Sequence, residues 1–375
     1  MKKYIAAITA AALSVCLLAA CGGDNGNSGN TAQTSAAAEA AVTAEAPAAA
    51  AAAQTAETAA PSGGAAGELK EFDVILDWYP NAVHTFLYEA QKNGYFEEEG
   101  LKVNLISPAE SIDGMTFVAA GKAQVGLTYP VDTVTAVVNE NMPVRAIGAV
   151  VQEELSCMAS LAETDITADM TSLKGKTVGH SGPAVEEAII RTIIKNAGLT
   201  EQDVNLLNVG FNLTTSLTTK STDLVVGTFI NDEIVTMKNS GYDVNVWRYQ
   251  DYGVPQMYGL VMVANKDALD ADPEIYKGFL RACAKGFDDM QKDEEQALGV
   301  IMSDLNSADN PLDEVQQKES YEILMPLMEQ EGKPFLSMSD EVWQATMDWM
   351  LESGLISEEC ELSELYVMPD EEILK

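Results

Sequence analysis

Between residues 72 and 127 short apolar runs alternate with amphipathic stretches that end at glycine, and the pattern repeats between residues 176 and 227. Nothing else in the chain restricts its fold as tightly. Residues 72–76 read as a strand, 82–93 as a helix stopped by Gly94, and 101–105 as a strand of period two. Residues 112–120 are helical, Gly121 ends that helix, and 123–127 form a third strand. The second unit runs as strand 176–179, helix 185–197 closed by Gly198, strand 204–209, short helix 213–219 and strand 224–227. Successive units of this kind demand parallel strands with helices on both faces.

Some 300 residues follow position 69, more than one hydrophobic core usually organises, so two lobes are expected. Near Leu260-Val261-Met262-Val263 the chain returns to the first lobe, and the remainder is helical over 273–290, 294–304, 312–329 and 340–352. Glu341, Val342, Ala345 and Trp349 mark the expected inner stripe of the last helix, with Ser339 as N-cap and Gly354 beyond its end. A chain that leaves a lobe and comes back crosses twice, and two crossovers make a hinge. The expected fold class is therefore α/β, two lobes with mixed sheets on a two-crossover hinge. Its segments are 70–160 (first lobe), 161–257 (second lobe) and 258–375 (return and C-terminal helices).

Ahead of the lobes, Lys2 and Lys3 precede an apolar run over 4–18 that has the length of a signal-peptide core. It is too short to span a bilayer and ends in Leu18-Ala19-Ala20-Cys21. This resembles the bacterial lipoprotein box, which implies that residues 1–21 form the signal and that Cys21 carries the lipid. Residues 22–69 are Ala, Thr, Glu, Gly and Asn with hardly a large apolar side chain, a composition expected to remain a disordered tether. As a flexible coil such a tether reaches on the order of 40 Å. The expected location is extracytoplasmic, on the cell membrane.

The formal net charge of −36 repels nucleic acid phosphates and anionic headgroups. His84 and His180 are the only histidines, which excludes a His-rich metal site, and Cys157, Cys283 and Cys360 form no CxxC pattern. These cysteines are expected to be buried and apolar in character. No metal and no cofactor are expected.

The site is expected where strands end. Leu76-Asp77-Trp78-Tyr79-Pro80-Asn81-Ala82-Val83-His84-Thr85 follows the first strand, where ligands bind in open α/β sheets. Trp78 is either a flat platform for an aromatic ring or core packing, and Asn81 either a ligand contact or a helix N-cap. His84 faces either the ligand loop or the lobe's interior. Phe229, Asn231 and Glu233 hold the matching position after strand 224–227, and His180 is a weaker candidate.

The stretch Leu76-Asp77-Trp78-Tyr79-Pro80-Asn81 with His84-Thr85, then Asn93-Gly94-Tyr95-Phe96-Glu97-Glu98-Glu99-Gly100-Leu101, resembles the thiamine-pyrimidine-precursor binding family. Gly121-Lys122-Ala123-Gln124-Val125-Gly126 and Pro183-Ala184-Val185-Glu186-Glu187-Ala188 continue the resemblance, which covers residues 72–356. It implies the type II periplasmic binding fold and delivery of hydroxymethylpyrimidine or formylaminopyrimidine compounds to an ABC permease. The chain would then be a monomeric binder and not an enzyme. A flat aminopyrimidine wants aromatic faces and a carboxylate, so the resemblance points to Trp78 and Tyr129 as faces and to Glu186 or Glu187 as the acid. Riboflavin and sulfonate- or nitrate-type solutes are the alternatives on this scaffold. Eukaryotic relatives that synthesise the pyrimidine carry a Cys-rich CCCFC motif, where this chain has Ser156-Cys157-Met158-Ala159-Ser160.

Overall fold

Two five-stranded sheets form the frame of a computed structural model that describes residues 69–108, 113–308, 310–329, 332–369, 372 and 374. The expected signal peptide, the lipidation at Cys21 and all of the tether but Leu69 lie outside the described residues. The first sheet holds β1 (Lys70–Ile75), β2 (Leu101–Ile106), β3 (Val125–Thr128), β4 (Val144–Val151) and β10 (Leu260–Asn265), in the order β2-β1-β3-β10-β4. The second holds β5 (Ser156–Leu161), β6 (Thr177–His180), β7 (Asn205–Asn208), β8 (Leu224–Phe229) and β9 (Val244–Arg248), in the order β7-β6-β8-β5-β9.

The sheets share one plan. In the first, β1 pairs in parallel with β2 and β3, and β10 runs antiparallel between β3 and β4. In the second, β6 pairs in parallel with β7 and β8, and β5 runs antiparallel between β8 and β9. The mixed α/β architecture with a return strand matches the expectation. The change of sheet falls between Val151 and Ser156, ahead of the expected boundary at 160–161, because β5 hydrogen-bonds to β8 and β9. The second change falls between Arg248 and Leu260.

Sequence reading placed one helix at 82–93. The chain instead makes a 3-10 turn over Ala82–His84 before the α-helix Thr85–Lys92, because Asn81 caps the turn with its side chain. The helix Asp340–Glu352, which a short turn of helix at Leu362–Leu365 follows, has its Ser339 cap, Val342 N–H donating to Ser339 Oγ at 3.4 Å. Its buried face carries Trp343, Thr346, Met347, Trp349 and Met350, with Glu341 outside, so the inner stripe is rotated from the expected one.

The first lobe's core is aromatic. Phe279, on the long helix Pro273–Lys292, stacks on Phe72 of β1 at 4.9 Å and on Phe96 at 5.5 Å between ring centroids. The same helix lies so close to Thr85–Lys92 that a Cβ on Gly286 would sit 2.1 Å from the Phe86 carbonyl oxygen. This approach fixes the helix that follows the loop after β1. Gly286→Ala is therefore expected to lower stability by about 1–3 kcal/mol through overpacking. Urea denaturation of the wild-type and variant chains reads this directly, and equal midpoints would refute the close contact.

Candidate functional site

Strand order reverses at β1 in the first sheet, between β2 and β3, and at β6 in the second, between β7 and β8. Crevices at the carboxyl ends of such strands are where open α/β sheets bind ligands. Four loops leave these ends, after β1, β3, β6 and β8: the first two carry Trp78 and Tyr129, the third leads into the first turn of the helix Ala184–Asn196 with Glu186, and Phe229 ends β8 ahead of the fourth. The loops of the two sheets meet: the Tyr129 and Phe229 rings lie 6.4 Å apart between centroids, tilted by 48°.

The loop after β1 is built on a buried carboxylate. Asp77 Oδ1 is 2.9 Å from His84 Nε2, and Asp77 Oδ2 accepts from the Tyr129 hydroxyl at 3.3 Å. The other imidazole nitrogen, Nδ1, accepts the Asn81 backbone N–H at 3.2 Å. That pattern assigns the ring proton to Nε2, which donates to Asp77, and the imidazole is neutral. His84 is wholly buried, so it belongs to the lobe's interior and braces Asp77. Asn81 spends its side chain locally, accepting from Val83 N–H at 3.0 Å and donating to the Tyr79 carbonyl at 3.1 Å. Asn81 is thus the N-cap of the two readings open to it. Trp78 is not core: it is 49 % exposed and meets Tyr79, equally exposed, edge to face at 5.8 Å.

In the second lobe the two glutamates part company. Glu186 turns inward, its Oε2 accepting Ser181 N–H at 2.6 Å and its Oε1 accepting the Ser181 hydroxyl at 2.7 Å. Gly227 of β8 makes room for it, since a Cβ there would lie 2.3 Å from Glu186 Oε1 and the backbone φ is +101°. Glu187 turns outward and pairs with Arg191 at 2.7 Å. Helical spacing carries the signal that separates them: Glu186 lies one turn from Ile189 and Ile190, both buried, whereas Glu187 lies one turn from the solvent-facing Arg191. His180, at the end of β6, is buried, and its Nδ1 has no hydrogen-bond partner among the described residues. Phe229 N–H donates to Glu233 Oε2 at 2.8 Å. Asn231 is buried, donates to Ser320 Oγ at 3.2 Å, and leaves its Oδ1 unpartnered among the described residues.

Asp77 and Glu154 are the residues of this region that motif reading passed over. Asp77 stood inside the quoted motif, and a carboxylate followed by a histidine seven residues on was its signal. Glu154, in the first crossover, accepts from Ser156 N–H at 2.9 Å and from its hydroxyl at 2.7 Å, and nothing local in the sequence announces it. Burial raises the Tyr129 phenol well above its ordinary value, and the charges of Asp77, Asp132 and Glu154 add to this. Burial likewise raises the Glu154 and Glu186 carboxyls, against the pull of their serine donors. Solvent reaches Asp132, yet the protein around it strips enough water to push its carboxyl up to about 6. Burial, joined by the neighbouring Asp232 charge, pushes Glu233 up to about 7. The region is therefore aromatic and acidic, with carboxylates short of solvation. Cys157 is buried, hydrogen-bonded to the Thr228 carbonyl at 3.2 Å, and its thiol is pushed by burial up to about 12.

Two surface hollows of about 350 and 290 Å³ lie away from these loops, one lined by Asn93, Tyr95 and Asp289, the other by Asp169, Asn196 and Tyr252. Neither gathers the aromatic and acidic groups of the strand ends.

Two α/β lobes with a double crossover and facing strand-end loops define the class as a periplasmic-binding-protein fold. The periplasmic aliphatic sulphonate binding protein SsuA of Escherichia coli superposes with a TM-score of 0.65 at 12% identity, over 80% of this chain and 93% of that one. The desulfurization enzyme DSZB superposes at 0.53 and 11% identity, over 81% and 97%. The profile of the family described as NMT1/THI5 like matches residues 81–297. The formylaminopyrimidine-binding protein of Halalkalibacterium halodurans is 36% identical over 296 residues, covering 78% of this chain and 89% of that protein. The 4-amino-5-hydroxymethyl-2-methylpyrimidine phosphate synthase of Aspergillus parasiticus is 29% identical over 57% of this chain and 65% of its own. The chain belongs to the NMT1/THI5-like family.

Glu233 provides a test of the site's electrostatics. Its ordinary value is 4.5 and its folded value about 7, so the folded chain holds the extra proton between these limits. Stability then falls as pH rises through that window. Glu233→Gln keeps an acceptor for Phe229 N–H and removes the charge. The variant should match wild type near pH 4 and melt higher than wild type at pH 8; identical pH profiles would contradict the assignment.

Proposed function

We propose that this protein is the extracytoplasmic substrate-binding component of an ABC importer, that it captures a thiamine-pyrimidine precursor by closing its lobes, and that it works without catalysis. The observation that carries the reading is the meeting of Tyr129 and Phe229 at the strand ends, with Glu186 turned inward over Gly227 of the same strand as Phe229 and Trp78 left open on the rim. A flat ring finds aromatic faces there, and its exocyclic amine finds a carboxylate with lone pairs that Ser181 does not use. Binding an amine would also offset the desolvation that raises Glu186. The formylaminopyrimidine-binding relative, aligned over most of its length, supports the same ligand class.

Acidity weighs against sulfonate or nitrate. Glu154, Glu186 and Asp132, where ionised, would repel an anion at these strand ends. Synthesis of the pyrimidine, as in the fungal relatives, is disfavoured because residues 76–85, 128–133, 180–187 and 227–233 contain no lysine to hold a carbonyl cofactor as a Schiff base. Cys157 is buried, its thiol is held protonated by burial, and it is a poor nucleophile. The lipoprotein-box resemblance at Cys21 and the tether after it support an anchor that keeps the domain near a permease.

Thermal melting should rise saturably when a formylaminopyrimidine or hydroxymethylpyrimidine compound is added. No shift with either would end this ligand assignment. Trp78→Ala should weaken binding by about 10- to 100-fold, the range of one lost stacking platform, while leaving the unliganded melting temperature unchanged because the indole is half exposed. Wild-type affinity in that variant would remove Trp78 from the site.

A further inference from the structure

The helix Glu314–Met328 is fixed to the first lobe at its carboxyl end. Tyr321 donates its hydroxyl to the Met290 carbonyl at 2.6 Å, and the Leu327 carbonyl accepts Gln152 N–H at 2.7 Å. Leu324 and Met328 sit in the core that contains Phe72 and Phe279. Gln152 is the first residue past β4, so this end of the helix stands at the first crossover.

Its amino end stands elsewhere. From Leu327 back to Gln316 the helix runs roughly 16 Å at 1.5 Å per residue. There it touches ligand loops of both lobes. The buried Gln317 accepts Ala82 N–H on its Oε1 at 3.0 Å, and Asn310, just before the helix, donates to the Pro80 carbonyl at 2.7 Å. These two contacts hold the loop that carries Trp78. One face over, at positions i and i+4, Gln316 Nε2 donates to Asp232 Oδ1 at 2.6 Å, and Ser320 Oγ accepts from Asn231 Nδ2 at 3.2 Å. Asn231 and Asp232 follow Phe229 and Ile230 directly, so these contacts hold the loop that carries the second lobe's aromatic ring.

We propose that Gln316 and Ser320 form a latch, closing the first lobe onto the loop after β8, beside the first crossover where Ile230 N–H donates to the Leu155 carbonyl at 3.0 Å. The proposal rests on the binding reading above and adds a device that sets how long the cleft stays shut. Rotation about the crossovers leaves the Gln317, Asn310, Tyr321 and Leu327 contacts whole, since both partners of each belong to the first lobe. It must part Gln316 from Asp232 and Ser320 from Asn231, because those partners lie on opposite lobes. Ser320 and Asn231 are both buried, so water does not compete for their bond. Asn231, expected from the sequence as a ligand contact, thereby acts through the latch.

The test is the double variant Gln316→Ala with Ser320→Ala in the full chain, probed with a formylaminopyrimidine by stopped-flow fluorescence and by amide hydrogen exchange. Dissociation should accelerate about tenfold, the effect of losing two modest hydrogen bonds. Association should stay within about twofold. Without ligand, exchange should quicken over 229–235 while exchange over 314–328 stays at wild-type values, and the melting temperature should fall by about a few degrees, as losing two modest hydrogen bonds requires. Unchanged dissociation and unchanged exchange over 229–235 would overturn the latch. So would faster exchange within 314–328, which would make the two residues merely structural. Failure of wild type to bind the probe would instead overturn the ligand reading, and exchange over 229–235 in the unliganded chain would still decide the latch.

Discussion

Everything in the arrangement of the cleft follows from β10 lying hydrogen-bonded between β3 and β4. An interior strand covered on both faces must be apolar throughout, and Leu260-Val261-Met262-Val263-Ala264 is buried at every position. Because β10 runs antiparallel to β3, it enters its sheet at the edge where β1 and β3 leave theirs. β5 does the same beside β8, with Ser156 opposite Phe229. Both crossovers therefore lie on the ligand-loop edge of both sheets. Crossovers and cleft share one rim for a topological reason, and no loop needs to be long to bring Tyr129 against Phe229.

On that rim, a buried acid sets the positions of the neighbouring polar groups. A carboxylate as enclosed as Asp77 costs several kcal/mol in lost hydration unless its oxygens are paired. His84 and Tyr129 supply one donor to each oxygen, and Asn81 fixes His84 through its backbone. The string from Asp77 to His84 thus works mainly as internal scaffolding. Its polar side chains satisfy one another and leave Trp78 and Tyr79 unclaimed at the surface. A motif rich in hydrogen-bonding residues can be specific to a family because its members bind each other.

Elements were readable in the sequence where one physical signal dominated. β1, β2, β6 and the helix Ala184–Asn196 have clean periods and glycine stops, and they sit within a few residues of their expected places. β4 is harder, since Val144–Val151 is buried at nearly every position and a continuous apolar run of eight fits a helix as well as a strand. β9 carries only partly buried side chains and gives no contrast between faces. The site divides likewise. Glu186 was separable from Glu187 by helical phase alone, but Asn231 meets Ser320 across 89 positions, a pairing no local pattern encodes. Glu154 escaped for the same reason, its importance arising only because the first crossover brings it within electrostatic reach of Tyr129.

Global charge was a poor guide to the cleft, and local burial is a better one. A net charge of −36 spread over a surface is screened within about 10 Å in physiological salt and says little about any one pocket. What distinguishes this rim is that several of its acids are poorly hydrated, Glu154 even with Arg248 beside it. Desolvation raises Asp132, Glu154, Glu186 and Glu233, whereas Glu187 on the surface pairs with Arg191. Surface pairs of that kind contribute little. Under-solvated carboxylates hold unspent attraction for any N–H donor that arrives with its own ring to stack, and the same groups turn an anion away. Selectivity between those two kinds of solute can thus come from withheld hydration as much as from placed contacts.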